Sequence, residues 1–369
     1  MSPGLPLQVS RFGALTALGS TESGFSALLE GRHGFGPGPA WLDPAVPVAC
    51  VRGGSGVTNR TFELLFRVLD GLDVDPRGLA VVCATTTSAM LDGEVAVESW
   101  VKGLTPARPI DFLWSHLAHW PALAVAEKLG ATGPALVVST ACTSGTVAIG
   151  VGADLVRSGR AQRALILGVD GLCRTTIHGF HSLSAYSSQR CRPMDKGRDG
   201  MAIGEGAAWL LLEPATAGAR FTLLGVETSS DGYHLTAPDP GGAGLRRAIA
   251  GALGGVSPLD IDHVNAHATG TEANDAAEAA ALALAAPAAA ISATKGASGH
   301  TLGAAGVVEA VWLLQSMDAG VIPPVAGLSD PVDGVDVSAV SRQRRQRVGV
   351  SVNLAFGGHN AAVAFRREL

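Results

Sequence analysis

The chain has 369 residues and is 47% hydrophobic, enough to bury the core of roughly two domain-sized units, which excludes a disordered chain. Its formal charge is -5 and neither end carries a basic run, so nucleic acid and anionic membrane surfaces are excluded as principal partners. Five cysteines, Cys50, Cys83, Cys142, Cys173 and Cys191, form no C-x-x-C pair and leave an odd count, which argues against a disulfide framework or a zinc cage and for a reducing compartment.

In chain order, the opening run from Met1 to Ser20 carries Arg11 within a strand-like stretch and lacks an apolar run followed by a small-residue cleavage pattern, so no signal peptide is expected. No apolar stretch reaches about 18 residues without Gly, Pro or charge, so no spanning helix is expected and the protein reads as cytoplasmic. Short apolar, β-branched runs at Leu79 to Val82, Ala135 to Val138, Ala164 to Val169, Ala207 to Leu212, Ile261 to Val264, Val348 to Val352 and Ala361 to Phe365 predict buried strands. Ala-rich segments of helical length, Val147 to Arg157, Asn274 to Ala285 and Gly306 to Met317, lie between several of them, bounded by Gly, Ser or Pro. This alternation predicts an α/β protein whose sheets are covered on both faces. Glu213 to Arg220, with Pro214 and Gly218, separates two strands and marks a seam between two halves, although no sequence repeat is strong enough to show duplication.

Four segments carry chemistry. Val137-Val138-Ser139-Thr140-Ala141-Cys142-Thr143-Ser144-Gly145 runs from a strand into a helix and places Cys142 at the turn, where free N–H groups and the helix dipole lower a thiol pKa. A buried structural cysteine fits the same setting equally well. Asn265-Ala266-His267-Ala268-Thr269-Gly270-Thr271 puts His267 at a strand end, where α/β sheets build their sites, with two threonine hydroxyls beside it. Lys295-Gly296-Ala297-Ser298-Gly299-His300 is a glycine-rich turn that lets a lysine and a histidine converge, with Glu309 in the helix that follows. Asn353-Leu354-Ala355-Phe356-Gly357-Gly358-His359-Asn360 is a flexible turn carrying one bulky ring, which also fits an ordinary glycine hairpin.

Taken together, in this order, the four segments resemble a β-ketoacyl synthase of the type that elongates acyl chains on acyl carrier protein. Arg192-Pro193-Met194-Asp195-Lys196-Gly197-Arg198-Asp199-Gly200, Gly204-Glu205-Gly206-Ala207, the run Asp231 to Pro240, and Gly13 to Gly19 followed by Leu28-Leu29-Glu30-Gly31-Arg32 are similar as well. The resemblance implies the thiolase fold, a five-layered α-β-α-β-α sandwich of two similar halves, here 1–220 and 221–369. It implies a Cys-His-His site at Cys142, His267 and His300, with Lys295 in support and Glu309 compensating the lysine's charge. It also implies an oxyanion hole at the backbone N–H groups of Cys142 and Phe356, a gating role for the Phe356 ring, and contacts from Thr269 and Thr271 to a phosphopantetheine arm. No metal or redox cofactor is expected, since decarboxylation of a malonyl thioester itself generates the carbanion. The implied partners are acyl carrier protein and a second subunit, in a homodimer or a heterodimer with a related chain.

The chain departs from the family pattern in being short before Cys142 and between Gly179 and Arg192. Met194 and Met201 stand where aromatic residues are common, which predicts a flexible methionine lining. Thr143 replaces a small residue beside the nucleophile, and Ala268 replaces the more frequent glycine after His267. Arg60 and Arg67, seven apart on one helix face, are the docking candidates for an acidic carrier. Two other readings fit parts of the pattern: a non-elongating partner subunit of the chain-length-factor kind, and an acyltransferase or thioester hydrolase that uses the same cysteine. The first typically lacks the cysteine, and the second leaves His267, Lys295 and His300 unexplained.

Overall fold

The computed structural model describes residues 5–53, 60–104 and 116–368. Every apolar run read from the sequence contains a strand: Leu79–Ala84, Ala135–Val138, Arg163–Asp170, Gly206–Pro214, His263–Asn265, Val348–Ala355 and His359–Arg367. The run from Ile261 becomes a strand late, because a 3-10 turn over Pro258–Asp260 occupies its approach. These strands join Leu7–Thr16, Phe221–Ser230, Ala290–Ser292 and the short Asp336–Val337 in an 11-stranded sheet.

That sheet is one pattern laid down twice. On one side, Leu7–Thr16 is antiparallel to Gly206–Pro214, and Gly206–Pro214 is antiparallel to Arg163–Asp170. Arg163–Asp170 then runs parallel to Leu79–Ala84, and Leu79–Ala84 parallel to Ala135–Val138. On the other side, Phe221–Ser230, His359–Arg367, Val348–Ala355, His263–Asn265 and Ala290–Ser292 repeat the same senses in the same chain order. The two sides meet through a narrow seam, Leu7 opposite Leu223 and Gln8 opposite Thr222. The chain crosses between them from Pro214 to Phe221.

Side chains alternate along each strand, and the two sides of the seam act as a first sheet and a second sheet, each burying two faces. In the central core, Ala148 and Ile149 of helix Ser144–Arg157 and Val307 and Val311 of helix Ala305–Ala319 pack between Val82, Ile166 and Leu210 on one sheet and Val363 and Phe365 on the other. Behind the first sheet, Val81, Leu165 and Leu211 pack on Leu64 and Leu65 of helix Arg60–Val68 and on Val125 of helix Trp120–Leu129. Behind the second, Val264, Val350 and Ala364 pack on Ile249 of helix Ala243–Ala252 and Leu282 of helix Glu272–Ala285. These cores hold together five layers, helix-sheet-helix-sheet-helix, with the middle helices inside the central core, as the resemblance implied.

The two central helices touch backbone to backbone at Gly145 and Gly306. A Cβ on Gly145 would lie 2.6 Å from Val307 N, and one on Gly306 would lie 2.4 Å from Thr146 N, so any side chain here would force the helices apart. Because one helix follows Cys142 and the other follows His300, this contact decides where those two side chains meet. No helix among the described residues is long and apolar enough to cross a membrane.

Candidate active site

Cys142 sits between the strand Ala135–Val138 and the helix Ser144–Arg157, immediately after Ala141, whose φ of 52° lies in the left-handed region. A non-glycine residue there costs about 1–2 kcal/mol. The strain is held by the Ala141 carbonyl, which accepts from Ser144 N at 3.1 Å and from Thr86 Oγ1 at 3.3 Å. The lowered thiol pKa expected from the helix start is not what this environment gives. Burial pushes Cys142 up to about 12; Lys295 opposes the rise, and Asp170 and Glu309 add to it.

His300 lies beside the thiol, with Nε2 3.1 Å from Cys142 Sγ. Leu302 N donates to His300 Nδ1 at 3.2 Å, so Nδ1 is the acceptor and Nε2 carries the proton that faces sulfur. The His267 ring stands edge-on to that of His300, centroids 5.2 Å apart at 83°. Lys295 Nζ approaches His267 Nδ1 at 3.2 Å and Asn353 Nδ2 approaches it at 3.4 Å, so His267 likewise presents Nε2–H. Burial, the Lys295 charge and the neighbouring ring hold His267 well below the usual histidine value; burial and then Lys295 do the same to His300. Both rings are therefore neutral donors at neutral pH.

Lys295 is buried, bonded to the His267 carbonyl and paired with Glu309. Burial raises the Glu309 carboxyl, while Lys295 and Asn353 pull it back. Asn353 Nδ2 donates to Glu309 Oε2 at 2.7 Å, and Asn353 Oδ1 accepts from Thr146 Oγ1 of the helix after Cys142, which joins the two halves in one network. Lys295 shares a turn with His300 in the sequence and makes its direct bonds to His267, while its charge acts on both rings.

Three further residues escaped the sequence. Glu278 accepts from His267 N at 2.6 Å and from Ala268 N at 2.7 Å, fixing the backbone under the first histidine. Asp170 accepts from Thr86 N at 2.9 Å, Thr87 N at 2.8 Å and Gly303 N at 2.7 Å, tying the loop over Ala141 to the loop after His300. Asn353 lies near the end of the apolar strand Val348–Ala355, just ahead of the Phe356-Gly357-Gly358 turn, and its side chain is buried against Glu309 and His267. Glu278 in an Ala-rich helix and Asp170 at the end of an apolar strand each break an apolar pattern, the one signal that could have found them.

Thr269, Thr271, Phe356 and Met201 line a cavity of about 70 Å3 together with Cys142, His267 and His300. The two threonine hydroxyls are 2.9 Å apart. Phe356 occupies the turn of the predicted hairpin and is 40% exposed. Met194 is not part of this lining: it is buried in the outer core among Leu245, Ile249 and Val350. Thr143 turns away to bond His359 Nδ1 at 2.8 Å. Arg60 is also corrected, since it is buried and bound to Glu205, whose carboxylate also accepts from Val51 N at 2.9 Å. Arg67 is 37% exposed and pairs with Glu63 at 3.2 Å.

A duplicated α-β-α-β-α sandwich, with a cysteine at the start of one central helix and a histidine just before the other, defines a condensing enzyme of the thiolase fold. Family models agree: "Beta-ketoacyl synthase, N-terminal domain" matches residues 80–217 and "Beta-ketoacyl synthase, C-terminal domain" matches residues 220–329. The 3-oxoacyl-[acyl-carrier-protein] synthase 2 of Synechocystis sp. is 31% identical to this chain, over 97% of each. Among solved structures, the ketosynthase ApeO of Xenorhabdus doucetiae, in complex with its chain length factor ApeC, is similar at a TM-score of 0.90 and 29% identity, covering 99% of this chain and 98% of that one. The ishigamide ketosynthase/chain length factor is similar at a TM-score of 0.90 and 27% identity over the whole of both chains. The chain belongs to the β-ketoacyl synthase family, and it is an enzyme of the acyltransferase class.

Proposed function

We propose that Cys142 carries the growing acyl chain and that His267 and His300 together hold the enolate formed when a malonyl thioester loses CO2. The observation that carries this reading is the pair of Nε2–H donors, one of them 3.1 Å from Cys142 Sγ, each fixed by an acceptor bond at its own Nδ1. In the first half-reaction Sγ attacks the acyl thioester carbonyl, the carrier sulfur leaves and takes up the proton that Sγ gives up, and an acyl-Cys142 thioester remains. The backbone N–H groups of Cys142 and Phe356, which donate to no other residue among those described, serve the oxyanion.

In the second half-reaction the malonyl carbon–carboxylate bond breaks, CO2 leaves, and the electron pair moves onto the thioester oxygen. That oxygen accepts from both imidazoles, which bind it without burying additional positive charge. The enolate carbon then attacks the acyl carbonyl, Sγ departs as the thiolate, and a proton from solvent restores the thiol. Lys295, with Glu309 and Asn353, acts through His267 by holding its tautomer.

The atoms of Cys142, His267 and His300 that could bind a metal lie within 4.8 Å of one another. The Lys295 ammonium at 3.2 Å from His267 Nδ1 repels a cation there, which supports chemistry without a metal or redox cofactor. Thr269 and Thr271, at the cavity wall, are suited to a phosphopantetheine arm, and acyl carrier protein is the proposed donor of both substrates. A second subunit, identical or related, fits the edge strand Ala135–Val138, whose Leu136 is 39% exposed. A cytoplasmic location accords with five free cysteines.

Peptide mass spectrometry after incubation with acyl-carrier protein tests the reading. The acyl mass is expected on the Cys142 peptide and is expected to vanish in Cys142→Ala. Acyl transfer to a different residue would overturn it.

A further inference from the structure

We propose that Phe180 is a specificity-determining residue of this site: its ring braces that of Phe356 over Cys142, and the pair sets how much acyl chain can enter. The proposal rests on Cys142 as the acyl acceptor and adds a residue that neither the motifs nor the resemblance singled out. The Phe180 and Phe356 rings are 5.7 Å apart at 59°, the tilted arrangement that aromatic pairs favour. Both line the cavity that holds Cys142, His267 and His300.

The cavity is small, about 70 Å3, about half the size of a cavity of roughly 150 Å3 that takes up a single benzene ring. A longer acyl chain therefore enters only if a wall moves. The histidine walls are pinned by Lys295, Leu302 and Glu278. Met201, 3% exposed, is packed into the cluster of Leu42, Val48 and Ile177. Phe180 packs against the same cluster but is only partly buried, and Phe356 is 40% exposed. Phe356 is followed by Gly357 at φ 89° and Gly358 at φ 73°, a backbone that only glycine adopts freely.

Phe180 lies in the last turn of helix Arg174–Ser182, which buries Ile177 alone. That helix is tied down at its start, where Glu94 accepts from Arg174 N at 2.9 Å and Thr175 N at 2.7 Å, and Arg174 reaches Glu98 at 2.6 Å. Its far end leads into exposed Leu183 and into Ser184 at φ 53°. The ring pair is thus the wall able to yield, and Phe180 is the half of it carried on a helix rather than on the glycine turn.

The test needs no carrier protein. Cys142 in the intact protein is alkylated with iodoacetamide and, separately, with N-dodecylmaleimide, and the rate of each is read on the Cys142 peptide. Phe180→Ala is expected to raise the ratio of bulky to small probe rates roughly tenfold and Phe180→Leu, which keeps the apolar packing, roughly twofold, the range set by losing one aromatic pair. Phe180→Trp should lower the ratio. An unchanged ratio in Phe180→Leu and Phe180→Trp, both folded by circular dichroism, overturns the proposal even where carrier-borne acyl groups still load Cys142. A raised ratio without any acyl loading from carriers would leave the Phe180 wall standing and remove the acyl-acceptor reading.

Discussion

Leu302 donates its backbone N–H to Nδ1 of His300 at 3.2 Å, and this one bond makes the ring a donor toward Cys142. Protonation of His300 would destroy that acceptor, but burial and Lys295 hold the ring well below its ordinary value, and His267 is held down likewise. A lowered histidine pKa means that the neutral form persists as pH falls through the ordinary value. The rate of malonyl decarboxylation is therefore expected to be flat between about pH 8 and about pH 6, with no loss centred on the free-histidine pKa of about 6.5. Stopped-flow CO2 release over that range checks it, and a titration near the free-histidine value would place a charging ring in the mechanism.

Lys295 and Glu309 are a buried ion pair, 1% and 3% exposed at the side chain. Lys295→Met leaves the carboxylate unpaired and is expected to cost about 3–5 kcal/mol in urea unfolding. Lys295→Met with Glu309→Leu should recover most of that stability. Decarboxylation should remain impaired in the double variant, because only the longer 3.4 Å contact from Asn353 then fixes the His267 tautomer, whereas acyl loading of Cys142 should suffer less.

Gly306 packs where a Cβ would meet Thr146 N at 2.4 Å. Gly306→Ala is expected to destabilise the fold by about 1–3 kcal/mol, the usual range for overpacking. Since the same contact sets the Cys142–His300 approach, condensation should fall roughly a hundredfold, as an ångström-scale misplacement does. Thermal unfolding and steady-state kinetics on one preparation measure both effects.

Arg60 and Arg67 looked equivalent in sequence and differ in structure. Arg60→Ala strands Glu205 beneath the loop that bonds His300 O through Gly204 N, and should cost about 3–5 kcal/mol. Arg67→Ala, at a half-exposed pair, should change stability by less than about 1 kcal/mol. Chemical denaturation distinguishes them, and carrier affinity measured by surface plasmon resonance tests Arg67 alone as a docking residue.

The strands were legible because a parallel or doubly covered strand must be apolar along its length, as Leu79–Ala84 is. The duplication was not, because the two halves share an order of strands and senses, which sequence periodicity does not encode; Val82 and its counterpart need only be apolar. Cys142, His267, His300 and Lys295 were legible through local glycine and hydroxyl context combined with family resemblance. Glu278 and Asp170 were not, since their work is to accept backbone N–H groups contributed by other loops. The pKa of Cys142 misled the sequence for a related reason: the helix start is local and visible, whereas the burial that outweighs it comes from both halves of the fold.

On the proposed mechanism, acyl-Cys142 is condensed with a malonyl-derived enolate held by two neutral histidines. Purified protein given acyl- and malonyl-carrier protein, with product read by intact-carrier mass spectrometry, tests it most directly. An extended β-keto chain is expected on the carrier, absent in Cys142→Ala, with His300→Ala still accumulating acyl-Cys142. Acyl-Cys142 that only hydrolyses, or β-keto product formed by Cys142→Ala, would contradict it.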